Sequence, residues 1–141
     1  MPFELASTLA AGSLANPALI DPSLSSGRIR HQSAIFNLAS DVVGTYTAPI
    51  LLPRGARVLF GYMNSSVTLG ASATVAIGIA GAVGKYRAAA TYTSADTPTW
   101  LGLNATVMAE LQAPEQIIMT TAVAALPASG RLVIGFLYSL D

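Results

Sequence analysis

After residue 30 the chain alternates apolar and polar positions in short runs, broken by clusters of Pro, Gly, Ser and Asp. Alternation sends every second side chain to one face of an extended strand, and regular turn punctuation marks an antiparallel sandwich or barrel. The spacing predicts strands over 30–39, 44–51, 56–64, 74–80, 85–93, 99–103, 107–111, 116–123 and 131–140. Two of these show the period of two plainly. Val75, Ile77 and Ile79 alternate with Thr74, Ala76, Gly78 and Ala80, so one strand face is bulky and the other nearly flat, inviting close approach by another backbone. In the last run Leu132, Ile134, Phe136, Tyr138 and Leu140 share the face expected in the core, opposite Arg131, Val133, Gly135, Leu137 and Ser139.

An internal echo supports a layered β fold. Leu52-Pro53-Arg54-Gly55-Ala56-Arg57 leads into Val58–Tyr62 much as Leu126-Pro127-Ala128-Ser129-Gly130-Arg131 leads into Leu132–Phe136, with Gly61 matching Gly135. Each unit is a Leu-Pro turn feeding an apolar strand, and the two glycines mark bends or close backbone contacts; chance similarity of two turn-strand units is the alternative. Residues 1–28 differ from the rest. They are rich in Ala, Ser and Leu, and Pro17 and Pro22 forbid one long helix. The expected organisation is an extended N-terminal arm over 1–28 and an all-β, antiparallel sandwich domain over 29–141. The arm either lies on a neighbouring molecule, with Phe3 and Leu5 as its apolar contacts, or is a terminus packed on its own domain or disordered.

Composition changes the picture in one respect. Of 141 residues 52% are hydrophobic and only 10% charged, with seven Lys+Arg balancing seven Asp+Glu. So few charges leave a neutral surface with little self-repulsion, which favours association. The balance also argues against nucleic-acid binding, which draws its affinity from a net basic face. Arg28, Arg30, Arg54, Arg57, Lys85 and Arg87 precede residue 90, whereas Asp96, Glu110, Glu115 and Asp141 follow it. That asymmetry reads either as charge complementarity between neighbouring subunits or as an uneven, solvated surface. No basic residue precedes the first apolar stretch, as a secretory signal would require. The uncharged run 58–84 is too rich in Gly, Ser and Thr for a membrane helix, so no membrane partner is expected.

Catalytic chemistry has few carriers here. There is no cysteine and a single histidine, His31, at the start of a predicted strand. No serine sits in a Gly-x-Ser-x-Gly elbow, and no cluster of His and carboxylates has metal-ligand spacing, so neither an enzyme, a cofactor nor a bound metal is expected. Glu110 and Glu115 are the nearest acid pair, and solvated acids beside the Ala113-Pro114 turn are the simpler reading. Gly78–Lys85 resembles a phosphate-binding loop but fails its spacing, and Tyr86 stands where that loop needs Ser or Thr. A glycine-rich hairpin fits better. Trp100, with Tyr46, Tyr62, Tyr86, Tyr92 and Tyr138, would suit either a sugar platform or a core and subunit interface.

The segments Leu52–Val58, Val75–Gly81, Gly84–Ala90 and Leu126–Gly130 together resemble small structural proteins of tailed bacteriophages, most nearly the capsid cement or decoration proteins of short-tailed phages. The resemblance covers most of the chain after Asp41 and excludes the arm. It implies a jelly-roll-like sandwich on the outer surface of the virion capsid, formed in the host cytoplasm during assembly. It implies as partners the major capsid protein and a second copy of the chain, as a homodimer, with a trimer as the alternative. Candidate interface residues are then Phe3, Leu5, Arg28, Arg30, Arg54, Arg57 and Trp100. The competing expectation is a phage fibre or host-receptor module that binds glycans around Trp100.

Overall fold

The computed structural model describes residues 28–140. Eight strands follow in chain order: β1 (Arg28–Asn37), β2 (Gly44–Leu52), β3 (Arg57–Ser65), β4 (Thr74–Ile79), β5 (Ala82–Thr91), β6 (Thr99–Leu101), β7 (Glu115–Ala122) and β8 (Arg131–Leu140). They form two four-stranded sheets, ordered β1-β8-β3-β6 and β2-β7-β4-β5, with every pairing antiparallel. The pairs β1·β8, β2·β7, β3·β6 and β4·β5 are nested, as if one long hairpin had been rolled across two layers. That is a jelly roll. The described residues contain no helix long and apolar enough to cross a membrane, and the run 58–84 holds β3 and β4. The arm, with Phe3 and Leu5, lies outside the described residues, and Arg28, assigned above to the arm, opens β1 opposite Leu140.

The core forms between the two sheets from the face that the alternation marks. Leu132, Ile134, Phe136 and Tyr138 of β8 are buried, facing Val75, Ile77, Ile117 and Met119 from the other sheet's strands. Phe136 meets Tyr86 of β5 edge-on, with ring centroids 5.0 Å apart, so one aromatic pair ties the layers together. The echoed units prove to be spatial neighbours. β3 and β8 run antiparallel side by side, with Gly61 opposite Phe136 and Tyr62 opposite Gly135, so each glycine makes room for the other unit's aromatic ring.

Two glutamine side chains repair the ladder where backbone pairing fails. Pro49 removes a donor in the middle of β2, and the β2–β7 register slips between Thr47 and Leu51. There the Gln116 amide donates to the carbonyls of Ala48 and Ile50, the latter at 2.9 Å. At the opposite edge of β2, Gln32 of β1 accepts from the Leu51 N–H at 3.0 Å and donates to the Leu51 carbonyl at 2.9 Å. This closes one corner of the sandwich.

One expectation is corrected, and a second is met from within the chain. The segment 107–111 is not a strand. Thr106 and Val107 both donate to the Leu103 carbonyl, Met108 adopts φ 64°, and only Glu110 pairs, in an isolated bridge with Arg57. Its apolar residues serve another purpose, since buried Leu111 exchanges backbone hydrogen bonds with Gly55 and Ala56. The flat side of β4, for its part, is approached from within the chain. β4 turns into β5 at Ala80-Gly81, where Gly81 has φ 85°, and β5 folds back so closely that a Cβ on Gly78 would overlap the Ala82 carbonyl and the Val83 peptide. Because backbone, not a movable side chain, fills that space, Gly78→Ala should destabilise the fold by about 1–3 kcal/mol in urea denaturation. An unchanged midpoint would mean the hairpin shifts freely.

Candidate functional site

The outer face of the β1-β8-β3-β6 sheet is apolar and aromatic, and the reason is a single irregularity in β3. Between Val58 and Phe60 the pairing with β8 shifts by one residue. Val58 points inward beside Tyr138, but Phe60 and Tyr62 now pair with Leu137 and Gly135 on the outside. Directly opposed residues share a face. Rows therefore run across the sheet: Trp100, Tyr62, Gly135 and Ser33 in one, Phe60, Leu137 and His31 in the next, Asn64, Val133 and Ile35 beyond. Between Arg57 at one end and Arg131 at the other, these rows hold no Asp, Glu, Lys or Arg.

The rings in these rows are held in place. Tyr62 lies over the bare backbone of Gly135 and stacks on His31 at 6.0 Å with planes 7° apart, its hydroxyl 3.0 Å from Nε2. Phe60 meets Trp100 edge-on at 5.4 Å, and the two rings line a shallow apolar notch of about 280 Å³. Trp100 nonetheless stays 70% exposed and Ile29 66%. Scattered exposed apolar residues are ordinary; a contiguous, charge-free aromatic face is the mark of a docking surface. The notch has no polar lining, and a sugar site needs hydrogen-bonding groups for its hydroxyls.

A second feature gathers at the sandwich end where β1 and β3 begin and β2 and β8 finish. Arg28 pairs with Leu140 and Arg30 with Tyr138, while Arg57 lies opposite Ser139. Arg54 occupies the tip of the Pro53–Ala56 turn, closed by the Ala56 N–H on the Pro53 carbonyl at 3.2 Å, with Gly55 at φ 84° beside Leu140. Arg28, Arg30 and Arg54 are exposed and make no ion pair among the described residues. Arg57 instead donates to Glu110 and to the Met108 carbonyl, each at 3.1 Å.

The carboxylates near this end are committed to structure. Glu115 accepts from Lys85 and, at 2.5 Å, from the Tyr86 hydroxyl. Burial first, then the hydrogen bond and charge of Glu115, push the Tyr86 phenol above its ordinary range, so it remains a neutral donor. A cleft of about 340 Å³ runs between Lys85, Glu110 and Glu115, with both acids already paired to cations. Another, of about 210 Å³, offers the hydroxyls of Thr91, Thr93, Ser94 and Thr97 but no base among its lining residues. His31 touches only the Tyr62 ring and hydroxyl among these groups, and the described residues contain no group of three metal-binding side chains.

Of the residues singled out from sequence, the structure brings Arg28, Arg30, Arg54 and Arg57 to one end and sets Trp100 on the adjoining face. Sequence reasoning named Tyr62 among the aromatics and set Leu137 opposite the core face, but missed Phe60, because only the shift in β3 turns it outward.

These features describe a jelly roll with an exposed aromatic outer face and no assembled catalytic centre among the described residues. Three solved structures contain chains of the same fold. A chain of the cyanophage Pam1 capsid asymmetric unit superposes with a TM-score of 0.69 at 18% identity, covering 90% of this chain and 96% of that one. One from the acid-stable capsid of Helicobacter pylori bacteriophage KHP30 gives 0.62 at 15%, covering 79% and 87%. A third, from the capsid of Ralstonia phage GP4, gives 0.62 at 14%, covering 90% and 94%. At such identities the likeness is one of fold. No protein-family model matches the chain, and no curated protein matches it by sequence.

Proposed function

We propose that the chain is a phage virion structural protein that binds the outer surface of the capsid and stabilises the shell by bridging neighbouring subunits. The observation that carries this reading is the charge-free aromatic face of β1-β8-β3-β6, which has exposed area to bury and no chemistry to perform. Support comes from the three fold matches, which lie in capsids and are chains of about this length, since coverage is nearly complete in both directions. A protein that binds only the assembled lattice stabilises it by mass action, as any ligand favours the state it prefers. Many copies of a modest contact suffice.

Two measurements test the reading. Quantitative mass spectrometry of purified particles should find this chain at near-stoichiometric ratio to the major capsid protein; a few copies per particle would point to a fibre or tail role. Exposed rings packed against one another are the anchors expected to dominate such an interface. The double variant Phe60→Ala/Trp100→Ala should bind stripped particles about 30-fold more weakly or worse, the equivalent of roughly 2 kcal/mol for a hot spot. Its unfolding midpoint should barely move, and undiminished binding would remove the face from the interface.

A further inference from the structure

The described chain is electrically polar along its strand axis. Arg28, Arg30, Arg54, Arg57 and Lys85 collect at one end, whereas the other carries Asp41, Asp96 and Arg131. Arg57 and Lys85 are held by Glu110 and Glu115. What remains to act outward is a set of three arginines, and no free lysine. Each is presented by rigid structure: Arg28 and Arg30 by a strand paired along its length with β8, Arg54 by a hydrogen-bonded turn.

We propose that this end docks onto a carboxylate-rich protein surface, with Arg28, Arg30 and Arg54 forming paired hydrogen bonds to its Asp and Glu side chains. Guanidinium groups are planar forks that match carboxylates two bonds at a time and are more weakly hydrated than ammonium groups. Arginine beside exposed apolar side chains is typical of protein interfaces, and here exposed Leu51 lies just before the Arg54 turn while Ile29 extends the adjoining outer face. A nucleic-acid site would need a more basic field than this one. With Arg57 and Lys85 paired to Glu110 and Glu115, three separate guanidinium groups remain, a set suited to individual carboxylates more than to a continuous phosphate backbone. The inference rests on the capsid reading for where the acidic surface is found, not for its chemistry.

The test compares wild type with Arg28→Gln/Arg30→Gln/Arg54→Gln, all exposed positions outside the aromatic rows, for binding to stripped particles and to poly-L-glutamate at rising NaCl. Wild-type affinity should fall about tenfold between 50 and 300 mM, and the triple variant should start about tenfold weaker with a nearly flat salt response. Equal binding and equal salt dependence for both proteins would overturn the inference while leaving the capsid reading intact if Phe60→Ala/Trp100→Ala still releases the protein. Should wild type not bind particles at all, the capsid reading falls, and poly-L-glutamate decides the chemistry alone. Tighter binding to a duplex DNA of matched charge than to poly-L-glutamate would overturn it as well.

Discussion

Phe136→Ala should cost about 3–5 kcal/mol of folding free energy, the range for removing a fully buried aromatic ring. The side chain is wholly inaccessible and lies where β8 meets the opposing sheet, edge-on to Tyr86. It also covers Gly61, whose absent side chain leaves room for the ring; a Cβ there would sit 3.0 Å from Phe136 Cδ1. Neither a strand backbone nor a glycine can collapse into the space left behind, so little of the cavity would be recovered. Urea denaturation reads the change directly, and Phe136→Leu should retain roughly half of the stability lost. A loss below about 1 kcal/mol would mean that the sheets are not joined through this ring.

Arg87→Met should be nearly as damaging, for a polar reason. The Arg87 side chain turns back into its own sheet and donates to the carbonyl oxygens of Val75, Ala90 and Thr91, the last two at 3.1 Å. Burial lowers its pKa from the ordinary value, yet a guanidinium starts so high that it stays charged. Those carbonyls sit where β4 and β5 lose register, between Val75 and Ile77. Without Arg87 they have no replacement donor, and each stranded group costs about 1–3 kcal/mol, so a total near 3 kcal/mol is expected once partial hydration of the β5 edge is allowed for. Arg87→Lys should restore little, because one ammonium cannot span three acceptors arranged for a fork. Hydrogen exchange should show β5 amides losing protection before those of β8. A lysine variant with wild-type stability and protection would refute this account.

Most of the layered architecture could be read from alternation and punctuation, and the failures have identifiable causes. The face of β8 that builds the core was legible because Leu132 through Leu140 keeps strict period two, with no Pro or turn residue to break it. The Leu-Pro echo pointed to Gly61 and Gly135 as places of close approach, and their reciprocal pairing with Phe136 and Tyr62 bears this out. Val107–Leu111 misled because its apolar spacing resembles a strand, while its path is set by the turn at Leu103–Val107, the left-handed Met108 and backbone hydrogen bonds from Met108 and Leu111 to the Val58 and Ala56 carbonyls. Arginine clustering at one end was hidden for another reason: residues 28, 30, 54 and 57 are brought together only by the nested strand order. Trp100 was noticed for its type alone. Its neighbour Phe60 was not, since alternation from Val58 places Phe60 inside.

The slip in β3 also bears on how such a surface could arise or vanish in a lineage. Losing the codon for Leu59 would remove the slip yet leave Phe60 and Tyr62 outside, because Val58 and Phe60 would then be adjacent and fall on opposite faces by ordinary alternation. Pairing Leu59 in regular register would instead turn Phe60 and Tyr62 inward and Gly61 and Met63 outward. The outward aromatic rows thus hang on one residue staying out of the ladder as much as on which amino acids are encoded.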